Sequence, residues 1–240
     1  MARREAAEVR RLLAFGLPVY CAGPHGRDVA LTFDDGPGPY TALALRILRR
    51  AHARATFFVV GRNLARFTPL LHHEASVGSI GDHTWTHPFL PSLPVHAIRT
   101  ELATTKAAIS RSYGTTVSLF RPPYGAHNAQ VDQLARQLGL IEVLWSVDTG
   151  DSEGAPWNMI AATVERYISP GAIVLMHENR GQTIRALKFL ILPWLRRHDL
   201  VPVDLNALLA LDPPTLAQLR LGGSGCKGGG FRSSPASLRG

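Results

Sequence analysis

The chain has 240 residues, 45% of them apolar, and a formal net charge of +8 from 26 Lys and Arg against 18 Asp and Glu. That length supports one large α/β domain with a full core, and the 17 prolines and 22 glycines exclude a helical bundle and suit a fold with many short connections. No apolar run approaches the length that crosses a bilayer, and the positive charge favours anionic neighbours without selecting nucleic acid, an acidic polymer or a membrane surface.

Residues 1–11 are basic, and 12–23 form a short apolar run ending in small residues, a poor match to a secretory signal. The spacing predicts an amphipathic helix over 5–15, within an N-terminal extension of residues 1–27. The compartment stays open between the cell envelope or exterior and the cytoplasm. Residues 29–33 have the content of a buried strand and run straight into Asp34-Asp35-Gly36-Pro37. Next come a predicted helix over 41–51, a strand over 55–60, a helix over 63–77 and a strand over 79–82. His83-Thr84-Trp85-Thr86-His87 follows, then a loop marked by Pro88, Pro91 and Pro94, and a helix over 95–113. A strand over 117–120 leads into Arg121-Pro122-Pro123-Tyr124-Gly125, and a helix is predicted over 129–138. A single strand over 141–147 ends in Asp148-Thr149-Gly150-Asp151. A helix over 159–168 precedes a strand over 172–176 that ends at His177. A helix over 183–197, interrupted by Pro193, and a strand over 200–203 complete the alternation. From Gly222 the composition shifts to Gly, Ser, Arg and Lys, so the chain divides into a domain over 28–212 and a tail over 213–240 that is expected to be disordered. Cys21 and Cys226 read as two unrelated thiols, with a disulfide between the termini as the alternative.

Short strands alternating with helices argue for a parallel sheet, and six or seven repeats argue for a barrel. Asp34 and Asp35, His83 and His87, Arg121 and Tyr124, Asp148 and Asp151, and His177 each fall just after a predicted strand. In a parallel barrel those positions gather on one rim. Adjacent aspartates repel each other and invite a cation, and on extended backbone their side chains leave in opposite directions, so the two can do different work. Two histidines four apart, with a carboxylate, make a three-ligand site for a borderline divalent metal and leave coordination positions open, the mark of a catalytic metal. Pro88 disfavours a helix at His87, which places the pair in a loop. Taken singly, Asp34 and Asp35 are turn residues, His177 is a buried histidine, Arg121 a surface charge and Asp151 a helix cap; their convergence on one rim outweighs those readings.

With Thr32-Phe33-Asp34-Asp35-Gly36-Pro37, His83-Thr84-Trp85-Thr86-His87, Arg121-Pro122-Pro123-Tyr124-Gly125, Asp148-Thr149-Gly150-Asp151 and Leu175-Met176-His177 in this order, the chain resembles the polysaccharide deacetylases of carbohydrate esterase family 4, the NodB-homology domain. The resemblance implies an α/β fold, a distorted (β/α) barrel of seven or eight parallel strands. It also implies roles. Asp34 would be the general base, and Asp35, His83 and His87 the ligands of a divalent metal, zinc first, with cobalt, nickel or manganese as alternatives. Arg121 would hold the base, and the backbone N–H of Tyr124 would receive the oxyanion. His177 would be the general acid, with Asp151 fixing its tautomer and raising its pKa. Asp148 would stand near Arg121, and Leu175 would wall the pocket for the acetyl methyl.

One position departs from the family pattern: Ser152 stands where a tryptophan usually follows the fourth motif, which bears on substrate preference rather than hydrolysis. Trp85 and Trp145 are expected to pack or to line the cleft. His52, His72, His73, His96, His127 and His198 lie outside the motifs and receive no role. The function implied is removal of acetyl groups from N-acetylglucosamine units of a peptidoglycan- or chitin-type glycan. Its alternatives are an O-deacetylase acting on an acetylated xylan and a non-catalytic glycan-binding module. The expected partner is the acetylated glycan, with no specific nucleic-acid binding, no transmembrane segment and a monomeric state.

Overall fold

The structure, a computed structural model, describes residues 2–114 and 116–227. Its centre is β1 (Asp28–Gly36), whose apolar, β-branched and aromatic residues are buried on both faces, as a strand covered on each side must be. One edge of β1 pairs with β7 (Ile173–His177) from Ala30 to Asp34. The other edge is shared. β8 (Val201–Val203) takes Asp28 to Ala30, and β2 (Ala55–Val59) takes the half from Thr32 onward. Beyond β2 lie β3 (Gly78–Asp82), β4 (Leu119–Phe120) and β5 (Ile141–Glu142); beyond β7 lies β6 (Val147–Asp148). Every pairing between these strands is parallel. The sheet curls into a half-barrel.

Alternation along the strands makes two cores. Val29, Leu31, Phe33, Phe57, Val174 and Met176 face outward and pack with Leu45 and Leu48 of α2 (Thr41–Arg50) and Ile98 and Leu102 of α4 (Val95–Tyr113). Each such side chain contributes about 1.5–3 kcal/mol relative to exposure. Ala30, Phe58, Leu119, Ile173 and Leu175 face the concave side. Among the described residues no further strand closes that side. It is filled by Leu12 of α1 (Ala2–Phe15), by Val19, and by Leu205, Leu208 and Leu209 of α9 (Leu205–Leu211). The N-terminal extension is therefore built into the core.

Five expectations need correction. Residues 141–147 do not form one strand: after β5 the chain leaves the sheet edge, Leu144 N–H bonding Val19 O at 2.8 Å and Ser146 N–H bonding Ile173 O at 3.0 Å, before β6 begins. The cause is Arg121, whose buried guanidinium draws in the carbonyls of Val143 and Leu144. Residues 213–227 are ordered. Thr215 and Gln218 form a reciprocal capping box that starts α10 (Leu216–Leu221). Cys226 is disulfide-bonded to Cys21, so the two thiols are not unrelated. The remainder of the expected tail, 228–240, lies outside the described residues. The helix expected over 63–77 is instead a 3₁₀ turn (Gly61–Asn63) and α3 (Leu64–Ala75), kinked at Phe67 ahead of Pro69. Likewise 183–197 divides into α7 (Gly181–Ala186), a π turn (Leu187–Ile191) and α8 (Leu192–Arg197), with Pro193 near the start of the last. The helices α5 (Ala129–Gln137) and α6 (Trp157–Tyr167) fall close to their expected positions. No helix among the described residues is long and apolar enough to cross a membrane.

Candidate active site

At the end of β1 the alternation that buries Ala30 on the concave side carries Thr32 and Asp34 the same way. Asp34 stands opposite His177 in the β1–β7 register, and Ile173 and Leu175 fix the inward face of β7. Both side chains therefore rise side by side from strands about 4.8 Å apart. Asp35 leaves the strand with φ 70°, which turns its carboxylate to the histidines instead of the helices. Thr84 (φ 67°), His87 (64°) and Tyr124 (62°) share that left-handed conformation around the same rim. Each costs on the order of 1–3 kcal/mol and persists only where surroundings enforce it. Gly36 has no alternative: a Cβ there would lie 1.4 Å from Glu178 Oε1.

Arg121 is wholly buried beneath this rim, its guanidinium 4.2 Å from the Phe58 ring centre. Nη1 donates to Asp34 Oδ1 at 2.8 Å and to Thr32 Oγ1 at 2.7 Å, while Nε and Nη2 donate to Val143 O and Leu144 O at 3.1 and 3.0 Å. A charge with no water is held by four acceptors, one of them ionised. This fixes one oxygen of Asp34 and leaves Oδ2 facing His83 Nε2 at 3.7 Å.

Asp35 Oδ1 lies 3.8 Å from His83 Nε2 and 3.4 Å from His87 Nε2, with the three donor atoms all within 4.8 Å of one another. His83 Nδ1 donates to Arg121 O at 2.8 Å, which assigns the proton to Nδ1 and leaves the Nε2 lone pair free. Burial pushes the Asp35 pKa up, but His83, His177 and His87, with the Asn179 amide at 3.2 Å, hold it below its ordinary value. Burial and His83 pull the His87 pKa down. A carboxylate that stays ionised beside two imidazole Nε2 atoms is the donor set a divalent cation takes, so these residues fit one.

On the other side of Asp34, Asp151 Oδ1 accepts from His177 Nδ1 at 2.8 Å, and Oδ2 accepts from His177 N–H at 2.7 Å and Thr183 Oγ1 at 2.6 Å. That tautomer directs Nε2 into the cleft. Burial lowers the His177 pKa, yet the Asp151 hydrogen bond and charge, with Asp34 and Asp35, raise it to about 9. Asp151 itself is held low despite burial, chiefly by His177.

Asp148 is not bonded to Arg121. Its Oδ1 accepts from Gly150 N–H at 3.0 Å, and Arg121 feels it only as a charge. Leu175 is buried on the concave face below His177, and Tyr124 is 53% exposed with its ring edge-on to His87. Trp145 packs over Arg121 and against Gly125, and Trp85 packs on Gly61; Ser152 is exposed on the rim. Several supporting residues are outside the motifs. Glu101 of α4 takes Trp85 N–H, Thr86 N–H and Thr86 Oγ1, each at 2.8 Å, and so sets the histidine loop. Asn63 donates to Asp35 O at 3.0 Å. Behind the Asp pair, Glu74 and Glu178 form a fully buried carboxyl pair. Only a polar residue within a predicted helix marks Glu101 or Glu74 in the sequence, and that is too common to single either out.

The sequence profile of the Polysaccharide deacetylase family matches residues 22–143. The chain belongs to the polysaccharide deacetylase family. Within it, the chain is 35% identical over 188 residues to the bifunctional xylanase/xylan deacetylase of Cellvibrio japonicus, covering 77% of this chain and 28% of that protein. It is also 35% identical over 188 residues to the chitooligosaccharide deacetylase of a Bradyrhizobium species, covering 71% of this chain and 85% of that one. The crystal structure of the Bc1960 peptidoglycan N-acetylglucosamine deacetylase is similar with a TM-score of 0.76 at 29% identity, covering 80% of this chain and 92% of that deacetylase. The chain spans 28% to 59% of the length of several curated deacetylase relatives that it matches.

Proposed function

We propose that the chain is a metal-dependent hydrolase that removes acetyl groups from N-acetylglucosamine units of a peptidoglycan- or chitin-type glycan, acting as a monomer. The observation that carries this reading is the juxtaposition of Asp34 and His177 across one strand pair, beside the Asp35, His83 and His87 donors. One nitrogen-rich, borderline donor set with a single carboxylate favours zinc, with cobalt, nickel or manganese able to replace it. When bound, the cation supplies Lewis acidity towards water and the acetyl carbonyl.

The chain's own residues move the protons. Asp34, ionised and oriented through Oδ1 by Arg121, takes a proton from the attacking water as its oxygen adds to the carbonyl carbon. The Tyr124 backbone N–H donates to the developing oxyanion. As the C–N bond breaks, His177 Nε2 delivers a proton to the amine nitrogen, and acetate and glucosamine leave. Leu175 bounds the acetyl methyl, and Asp148 contributes only its charge near Arg121. Ser152 leaves the rim open where an aromatic wall would narrow it, which suits a polymer.

Ester hydrolysis is the second reading, favoured by the likeness to a xylan deacetylase. Acetate release from zinc-loaded protein on N-acetylchitooligosaccharides, peptidoglycan and acetylxylan separates the two. Release from an N-acetylated glycan that disappears on chelation upholds the proposal. Release from acetylxylan alone transfers the reading to the ester, and no release from any of the three favours a non-catalytic glycan-binding module.

A further inference from the structure

We propose that His127, Asp132 and Glu142 form a second divalent-cation site, separate from Asp35, His83 and His87, where α5 meets β5. His127 Nδ1 lies 3.0 Å from Asp132 Oδ1 and 3.2 Å from Glu142 Oε1, and the three donor atoms all lie within 4.8 Å of one another. Two metal–ligand bonds of about 2.0–2.1 Å at a tetrahedral angle set their donors about 3.3 Å apart, so both carboxylates already stand from His127 Nδ1 at the spacing a first-row cation needs.

Hydrogen bonding alone would give similar distances, and Glu142 decides between the two. Its side chain is 4% exposed, and neither carboxylate oxygen accepts a hydrogen bond. The one proton on His127 Nδ1 is aimed at the nearer Asp132 Oδ1. The imidazole thus offers the two carboxylates a single donor. Without a cation, Glu142 has to hold a proton of its own and bond it to Asp132; burial, followed by the Asp132 charge and that hydrogen bond, pushes its pKa well above the ordinary glutamate value. A divalent cation takes the place of both protons, on His127 and on Glu142, and satisfies both carboxylates and the imidazole lone pair at once. His127 and Asp132 are 25% and 24% exposed, which gives an ion a way in. One imidazole with two carboxylates is a borderline set that accepts zinc. His127 lies on the loop between Tyr124 and α5, so a bound cation would fasten that loop to β5.

Zinc bound per chain at buffered free zinc, after chelation, tests this. Wild type should hold two zinc ions, His83→Ala/His87→Ala one, His127→Asn/Glu142→Gln one, and the fourfold variant none. In His83→Ala/His87→Ala, zinc at a hundredfold excess over its Kd should raise Tm by about 5–10 °C. One zinc in wild type that is lost in His83→Ala/His87→Ala overturns the second site and leaves the first intact. One zinc that survives that change and is lost in His127→Asn/Glu142→Gln upholds the second site and removes the first. Asp132→Asn, at a part-exposed position, guards against misfolding: unchanged zinc affinity there also overturns the proposal.

Discussion

His177 is pulled two ways, and the resolution sets the pH behaviour. Burial disfavours the imidazolium, but Asp151 bonded to Nδ1, with the Asp34 and Asp35 charges, wins and carries the pKa to about 9. A general acid has to hold its proton at working pH, and free histidine, near 6.5, would have lost most of it at neutrality. The alkaline limb of kcat/KM should therefore lie above that value. Asp151→Asn should move the limb to lower pH and reduce the neutral rate, with zinc content unchanged; an unshifted limb would remove the coupling. His177→Ala should harm amide substrates far more than aryl acetates, whose leaving group departs without protonation, and equal losses on both would show that His177 is not the acid.

Strand ends were the most legible elements, because an apolar run that stops at Asp, His or Arg is a local pattern. Residues 141–147 defeated that pattern. Their apolar content reads as one strand, while the break at Val143 and Leu144 answers a buried arginine that comes from β4. The Glu74–Glu178 pair was invisible for the same reason, since α3 and the end of β7 meet only in the fold. Burial first, then the Glu178 charge, raises Glu74 well above the carboxylate range, so Glu74 keeps a proton beside Glu178, itself raised by burial to about 8. A folded pKa raised above the unfolded 4.5 contributes stability that is present in full at low pH and is lost as pH rises through the folded value, about 8 for Glu178, with raised Glu74 adding a loss of the same sign. Glu74→Gln keeps a neutral polar group there with no proton to lose. Its urea midpoint should fall less than that of wild type between pH 6 and 9, and identical slopes would contradict a proton retained on Glu74. His177 titrates in the same window in both proteins, so the difference between them is the readout.

At the scale of the molecule, five motifs spread along the chain gave the barrel and its rim, because each sits where a parallel strand ends. How the concave side is closed was not legible. That depends on α1 and α9 meeting across the sheet and on a disulfide between cysteines 205 positions apart, and the Thr215–Gln218 capping signal lay within residues read as disordered. Closing so long a loop restricts the unfolded chain, so Cys226→Ser should cost about 2–4 kcal/mol and lower Tm by about 5–15 °C; an unchanged Tm would deny the staple a role. The central claim is a division of labour between neighbours, Asp34 moving the proton and Asp35 holding the cation. Zinc content and acetate release measured side by side in Asp34→Asn and Asp35→Asn test it most directly. Asp34→Asn should keep its full zinc and lose about 10²–10⁴-fold in rate, whereas Asp35→Asn should bind zinc more weakly. Loss of zinc in Asp34→Asn with retention in Asp35→Asn would contradict the account.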